Sequence, residues 1–295
     1  MKKWMMAATS AALLATLAGC KSSSSDDNDA PEVVTPDSIT LNYLGRYSAN
    51  IFGASAAEIP AFDPVNQRIF IVNAQKGAVD VLNAADPANP VLLQELTVES
   101  ITEGAVVNSI AYKGGYLAVA VEAPTKTDNG WVALFDATSL EMLGYEQVGA
   151  QPDMVTFTPD GEYVLTANEG EPSTDYQIDP VGSISILGVS EGQLVEVRTA
   201  GFSAFNTQAD ALRSAGVRIY GPNASVEQDL EPEYIAISSD SGTAWVSLQE
   251  NNALAKVDIA TATVTDILPL GYKDHGTAGN GLDVSDSDDA INIDT

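Results

Sequence analysis

The sequence predicts an all-β fold: a β-propeller of four-stranded blades, about four blades long, arranged as an incomplete ring. Three observations predict it. From about residue 41, apolar and polar residues alternate at the strand period, with turn residues at short intervals. Helix-period segments are almost absent. One hairpin pattern recurs four times, each time followed by two more strand-like runs, which marks a repeat architecture.

Taken in order, residues 1–19 read as a lipoprotein signal peptide. Lys2 and Lys3 give a positive start, and residues 5–18 are apolar except for Thr9, Ser10 and Thr16. That run is short for a membrane span. It ends in Leu17-Ala18-Gly19-Cys20, which is similar to a bacterial lipobox and implies cleavage before Cys20 and lipidation of its sulfur and amino group. The alternative is a plain secretory signal with an incidental cysteine. Cys20 is the only cysteine, so the folded domain is expected to hold neither thiol nor disulfide. Residues 20–40 are the lipidated cysteine and a polar tether with nothing to bury, expected to be disordered. Lys21 stands where an Asp would favour retention at the inner membrane. The expected location is therefore the bacterial cell envelope, lipid-anchored at the outer membrane, with the membrane as a partner through Cys20.

Residues 41–295 carry the repeat. The inner hairpins are expected at residues 58–62 with 68–73, 108–112 with 116–122, 153–157 with 163–167, and 233–237 with 243–250. Their turns are punctuated by Asp63-Pro64, Gly114-Gly115, Pro159-Asp160-Gly161 and Ser241-Gly242. Third strands are expected at 78–82, 131–135, 183–187 and 253–259, and fourth strands at 91–96, 142–147, 194–198 and 264–268. Two insertions lengthen the third-to-fourth spacing. Residues 174–181 extend a loop, and residues 202–230 contain a helix-like run at 207–215, with Asn206 placed to cap its start and Gly216 just past its end. Four blades are too few to close a ring, so the expectation is a partial propeller whose remaining blades lie outside this sequence, or one whose closure uses another element.

The chain carries 41 Asp+Glu against 13 Lys+Arg, a formal net charge of −28. Nothing here would neutralise phosphates, so nucleic acid is excluded as a partner. In a propeller the start of each innermost strand and the end of its hairpin partner meet at one mouth of the central channel. That rule gathers Glu58, Glu122, Asp153, Glu169, Glu233 and Glu250 at one rim, with Glu171 and Glu231 close by and Asn73, Asn168 and Gln249 beside them. Like charges at such separations cost about 3 kcal/mol per pair unless something offsets them. A bound cation is one compensation, and carboxylates with amide carbonyls suit hard ions, calcium above all. Raised carboxyl pKa values are a second. A solvated rim neutralised by Lys126, Arg213 or Lys273 is a third.

Other motifs carry less. Gly188-Val189-Ser190-Glu191-Gly192 matches a nucleophile elbow by letter, but strands are expected on both sides, so it reads as a hairpin turn. His275 is the only histidine, which rules out multi-histidine zinc sites and histidine triads within this stretch. Residues 283–289 are acid-rich without the glycine and closing glutamate of an EF-hand loop.

AAEIPAFDPVNQRIFIVNAQ, PDMVTFTPDGEYVLTANEGEPS, DALRSAGVRIYGP, DLEPEYIAISSDSGTAWVSLQENNALAKVDI and LPLGYKDH together resemble the bacterial choice-of-anchor I family, over roughly residues 41–295. That family is related to mesenchyme-specific cell-surface glycoproteins of biomineralising animals, and its members are often labelled alkaline phosphatase-like. The resemblance implies a secreted or surface-anchored propeller that continues beyond residue 295. It supplies no catalytic set. Three functions stay open: a surface propeller that binds calcium and, through it, a ligand or partner; a calcium-dependent phosphoesterase acting on extracellular phosphate esters; and a metal-free interaction scaffold.

Overall fold

The computed structural model describes residues 40–282, so the expected signal peptide, Cys20, the tether and the acidic run at 283–289 lie outside the described residues. The chain divides into two units, Met1–Tyr43 and Leu44–Thr295. The described residues of the second hold sixteen strands in four antiparallel sheets of four.

Blade 1 comprises β1 (Pro60–Asp63), β2 (Arg68–Asn73), β3 (Ala78–Asn83) and β4 (Val91–Thr97). Blade 2 comprises β5 (Val106–Lys113), β6 (Tyr116–Glu122), β7 (Asn129–Asp136) and β8 (Met142–Ala150). Blade 3 comprises β9 (Pro152–Phe157), β10 (Tyr163–Asn168), β11 (Ser183–Ser190) and β12 (Gln193–Gly201). Blade 4 comprises β13 (Pro232–Ile237), β14 (Thr243–Leu248), β15 (Ala253–Asp258) and β16 (Thr263–Pro269). Each sheet is a simple meander, and the sequence reading located every strand to within a few residues. Among the described residues no strand joins the fourth sheet to the first, so the four blades form an open arc.

The period-2 pattern explains how the blades stack. On β6, Leu117, Val119 and Val121 pack with Phe70, Val72, Val79 and Val81 of blade 1. Ala118 and Ala120 of the same strand pack with Val155, Phe157 and Val164 of blade 3. On β10, Val164 faces blade 2, while Leu165 and Ala167 join Ala244, Val246, Ala255 and Val257 of blade 4. Middle blades are thus apolar on both faces. Each such fully buried aliphatic side chain contributes about 1.5–3 kcal/mol. On blade 4, by contrast, Trp245 of β14 and Tyr234 of β13 remain exposed, and Lys256 lies over the Trp245 ring at 5.7 Å.

Polar links repeat at the seams. Arg68 donates to the carbonyls of Ala137 and Thr138 at 2.6 and 2.8 Å, tying blade 1 to blade 2. Arg198 donates to the Ala260 carbonyl at 2.6 Å, tying blade 3 to blade 4. The Gly188–Gly192 segment is the last part of β11 and the two-residue hairpin turn Glu191-Gly192, with φ of 50° at Glu191 and 77° at Gly192, and strand β12 rather than a helix follows it. His275 sits in a loop, its Nδ1 2.7 Å from the Asn280 carbonyl oxygen.

The insertion departs from expectation at its start. A 3-10 turn at Ser203–Gln208 precedes the helix α1 (Ala209–Ala215), whose N-cap is Gln208. Asn206 does not cap it. Its side chain is engaged across the insertion instead, donating to Glu227 Oε1 at 2.9 Å and accepting from the Glu227 amide at 3.0 Å. Gly216 does end the helix, at φ 103°, a conformation that glycine adopts without steric cost. A second short helix, α2 (Val226–Asp229), follows behind a Ser225–Gln228 capping box.

Candidate metal centre

Asn168 closes β10, and the chain then turns outward at Glu169 at the rim. The Glu169 amide donates to the Gln151 carbonyl, and the Gly170 amide to the Ala150 carbonyl, which pins the turn to the end of blade 2. Glu231 immediately precedes β13, with its amide held by Asn251 Oδ1 at 3.1 Å. Glu250 follows β14 in a tight turn closed by the amides of Asn251 and Asn252. These three carboxylates therefore come from the same mouth of two adjacent blades. One oxygen of each lies within 4.8 Å of the others, and all three side chains are half-buried.

Burial raises Glu169 to about 8, reinforced by the charges of Glu171, Asp153, Glu231 and Glu250. Burial likewise raises Glu231 to about 7, with Glu250 and Glu171 as the leading neighbours. Asp153 is raised by burial and by Glu122 and Glu171, and Glu233 by burial and by Glu250 and Asp153. Glu171 goes the other way. Burial pushes it up, but the hydrogen bonds of Lys126 and Gln151 and the Lys126 charge outweigh that and lower it.

Seven of the eight carboxylates singled out in the sequence therefore share one electrostatic field, and three of them converge. Glu122 accepts from Asn108 Nδ2 at 2.8 Å. Glu58 is exposed on the segment entering β1, its amide paired with the Val72 carbonyl, and it enters none of these interactions among the described residues. Two of the three expected rim amides are a correction. Asn73 and Asn168 are fully buried, and each is directed into its own blade, Asn73 to Asp80 at 3.2 Å and Asn168 to Ser183 and Ser185 at 3.1 and 2.9 Å. Gln249 does stand at the rim, its Nε2 donating to Glu250 Oε1 at 3.5 Å. A further amide that reaches the site is Gln151, between β8 and β9 and only 8% exposed. Its Nε2 donates to Glu169 Oε2 at 2.6 Å and to Glu171 Oε2 at 3.0 Å, while its Oε1 has no partner. Of the three expected cations, Lys126 pairs with Glu171, Arg213 binds the Ile219 carbonyl and Asp210 of its own insertion, and Lys273 is exposed and forms none of the ion pairs among the described residues.

Beside the three carboxylates opens a cleft of about 340 Å³. Glu171, Glu231 and Glu250 line it at the rim, and the two insertions supply most of the rest, including Tyr176 and Asp179 from the loop and Tyr220, Gly221 and Asp229 from the 202–230 segment. Asp229 is buried and accepts from the amides of Tyr220 (3.0 Å) and Gly221 and from Asn251 Nδ2, so the wall is fixed from within. Gln228 Nε2 donates to the Asp179 carbonyl at 3.0 Å, joining the two insertions. The sequence reading missed Gln151, Asp229 and Asn251. The closeness of Asp229 to Glu231, just before the Pro232 that starts β13, was the signal available for one of them.

Three carboxylates this close can do one of two things chemically. They can retain protons, or they can hold a cation. Oxygens bound to one calcium at roughly 2.3–2.6 Å stand at most about 5 Å apart, which the observed separations satisfy. Glu250 Oε2 is buried without a hydrogen-bond partner, as is Gln151 Oε1, so oxygen lone pairs at the site lack donors within the protein.

Residues 58–295 match the family model of the choice-of-anchor I domain, well over half of the chain. No curated protein matches the sequence. Among solved structures, the chain is similar to hydrazine synthase of Kuenenia stuttgartiensis (17% identity, TM-score 0.49, covering 76% of this chain and 52% of that one). It is also similar to a protein from Lactobacillus plantarum (18% identity, TM-score 0.48, 72% and 57% covered). A third is the Cps50 (Swd1) β-propeller domain of Myceliophteria thermophila (12% identity, TM-score 0.47, 70% and 57% covered). The chain thus spans between half and three-fifths of the length of these structures. Among the described residues, no helix is long and apolar enough to cross a membrane.

Proposed function

Given that this chain belongs to the choice-of-anchor I domain family, a family of surface-associated propeller proteins, we propose that it binds a calcium ion at Glu169, Glu231 and Glu250 and through it engages a ligand at the cell surface. The observation that carries this reading is the convergence of the three carboxylates within 4.8 Å, with a buried Glu250 oxygen left unpartnered. Three carboxylates supply three to six of the six to eight oxygens that calcium takes, and the neighbouring cleft gives the remaining positions access to ligand or water. Lipidation at Cys20 would hold the propeller to the outer membrane of the bacterial envelope. Retention of a labelled fatty acid by the native chain, and its loss in Cys20→Ser, tests that anchor.

A calcium-dependent phosphoesterase needs a positively charged clamp for its substrate. The cleft lining contains neither lysine nor arginine, and Lys126 is engaged by Glu171. The geometry therefore favours binding over phosphate-ester hydrolysis. Calorimetric titration of the metal-free protein with calcium decides the central claim. Micromolar binding that a Glu169→Gln, Glu231→Gln double variant abolishes supports it. An absence of heat, together with a melting temperature indifferent to calcium and chelator, leaves the metal-free scaffold with protonated rim carboxyls.

A further inference from the structure

We infer, resting on the cation reading above, that the cleft between blades 3 and 4 takes a neutral polyhydroxylated ligand, a saccharide, whose adjacent hydroxyls complete the shell of the bound cation. Three features of the cleft lead there.

The first is charge. Glu171, Asp179, Asp229, Glu231 and Glu250 line it and no basic side chain does, so a phosphate or carboxylate would have the bound cation alone as a partner against the repulsion of five carboxylates. A neutral ligand needs no countercharge. The second is shape and surface. Tyr176 and Tyr220 stand in the lining of a cavity of about 340 Å³ with 48% and 60% of their surface exposed. That volume lies in the range of small-molecule sites. Aromatic rings beside hydrogen-bonding groups suit a sugar, which presents apolar C–H faces on a hydroxylated ring. The third is the site itself. Gln151 is more than nine-tenths buried and bonds Glu169 and Glu171 through its amide nitrogen, yet its Oε1 is unpartnered. Gln151 thus braces Glu169 from a buried position, and Glu231 and Glu250 belong both to the three-carboxylate cluster and to the cleft lining, so a ligand in the cleft would stand beside an ion held by the cluster.

Calcium also separates this class from its nearest rival, an organic cation held between the tyrosines and the carboxylates. A saccharide that binds through calcium requires it, whereas an amine competes with it.

The test uses the full chain. Calcium calorimetry comes first, then saturation-transfer NMR with methyl α-mannoside, methyl β-galactoside and N-acetylglucosamine at millimolar concentration, with calcium and again with EDTA. The expected result is transfer to at least one saccharide that EDTA abolishes. A Tyr176→Ala, Tyr220→Ala variant should weaken that binding by about tenfold or more while its calcium affinity stays within about twofold of the parent, because the metal ligands are the three carboxylates and neither tyrosine is one of them. Calcium binding without transfer to any of the three saccharides overturns this inference and leaves the metal site standing. Transfer that survives EDTA, or that the tyrosine variant leaves unchanged, also overturns it, as does choline binding that calcium displaces. Failure of calcium itself to bind removes the metal reading and this one together.

Discussion

Glu169 is where sequence, burial and charge meet most sharply. The backbone turn after β10 fixes it beside Gln151, and burial with four neighbouring carboxylates raises it to about 8. Glu231 follows at about 7. Both lie above the ordinary glutamate value of 4.5, so the folded metal-free protein binds more protons than the unfolded chain across that interval. Their contribution to stability is accordingly full below the unfolded value and is lost as pH rises toward about 8. Thermal melting of the metal-free protein should therefore fall between pH 5 and pH 8, and Glu169→Gln should flatten that fall. A melting temperature that rises over the same range would show that these carboxylates are not held protonated. The same variant should lower calcium affinity by about tenfold or more, since one of three charged ligands is lost. Much of this was legible in the sequence, because the end of one strand and the start of its partner must share a rim. The fine choice was not. Which three of eight acids converge depends on turn geometry after Asn168 and Leu248, and on Gln151, a residue with no motif of its own.

Single strands show how a blade declares its neighbours. β6 reads YLAVAVE, apolar at nearly every position, and both its faces are buried. β14 reads TAWVSL, and its burial alternates. Leu248→Ala, on the face toward blade 3, should cost about 2–5 kcal/mol, whereas Trp245→Ser, on the exposed face, should cost under about 1 kcal/mol. Chemical denaturation of the two variants checks the contrast, and equal losses would mean that the outer face of blade 4 is covered in solution. Seams also rely on side chains that the hydrophobic pattern does not reveal. Arg68 spans to two carbonyls of blade 2, so Arg68→Ala should lose about 1.5–3 kcal/mol, the scale of charged hydrogen bonds. Strand positions were readable because alternation and turn chemistry are local signals. The capping of α1 was not, because Asn206 is drawn away by Glu227, twenty-one residues on, and only the folded insertion brings the two together.

At the scale of the molecule, the two insertions are what add a cleft to a plain stack of meanders. They lie side by side, share hydrogen bonds through Gln228 and Asp179, and wall the cleft that the rim carboxylates open into. Calcium at about one hundred times its dissociation constant should stabilise the fold by about 2.7 kcal/mol, a rise of roughly 5–10 °C in melting temperature for a chain of this size. Scanning calorimetry with and without calcium measures it, and an unchanged transition would argue against a site in the folded state. The three carboxylates do not belong to one blade: Glu169 hangs from blade 3, while Glu231 and Glu250 hang from blade 4. An ion shared among them would act as a rivet across that joint. Pulled from its ends, such a stack would peel sheet by sheet, and the rivet would make the separation of the third from the fourth the step that demands the greatest force. A protein exposed to shear at a cell surface would then have its grip on ligand and its resistance to tearing set by the same ion.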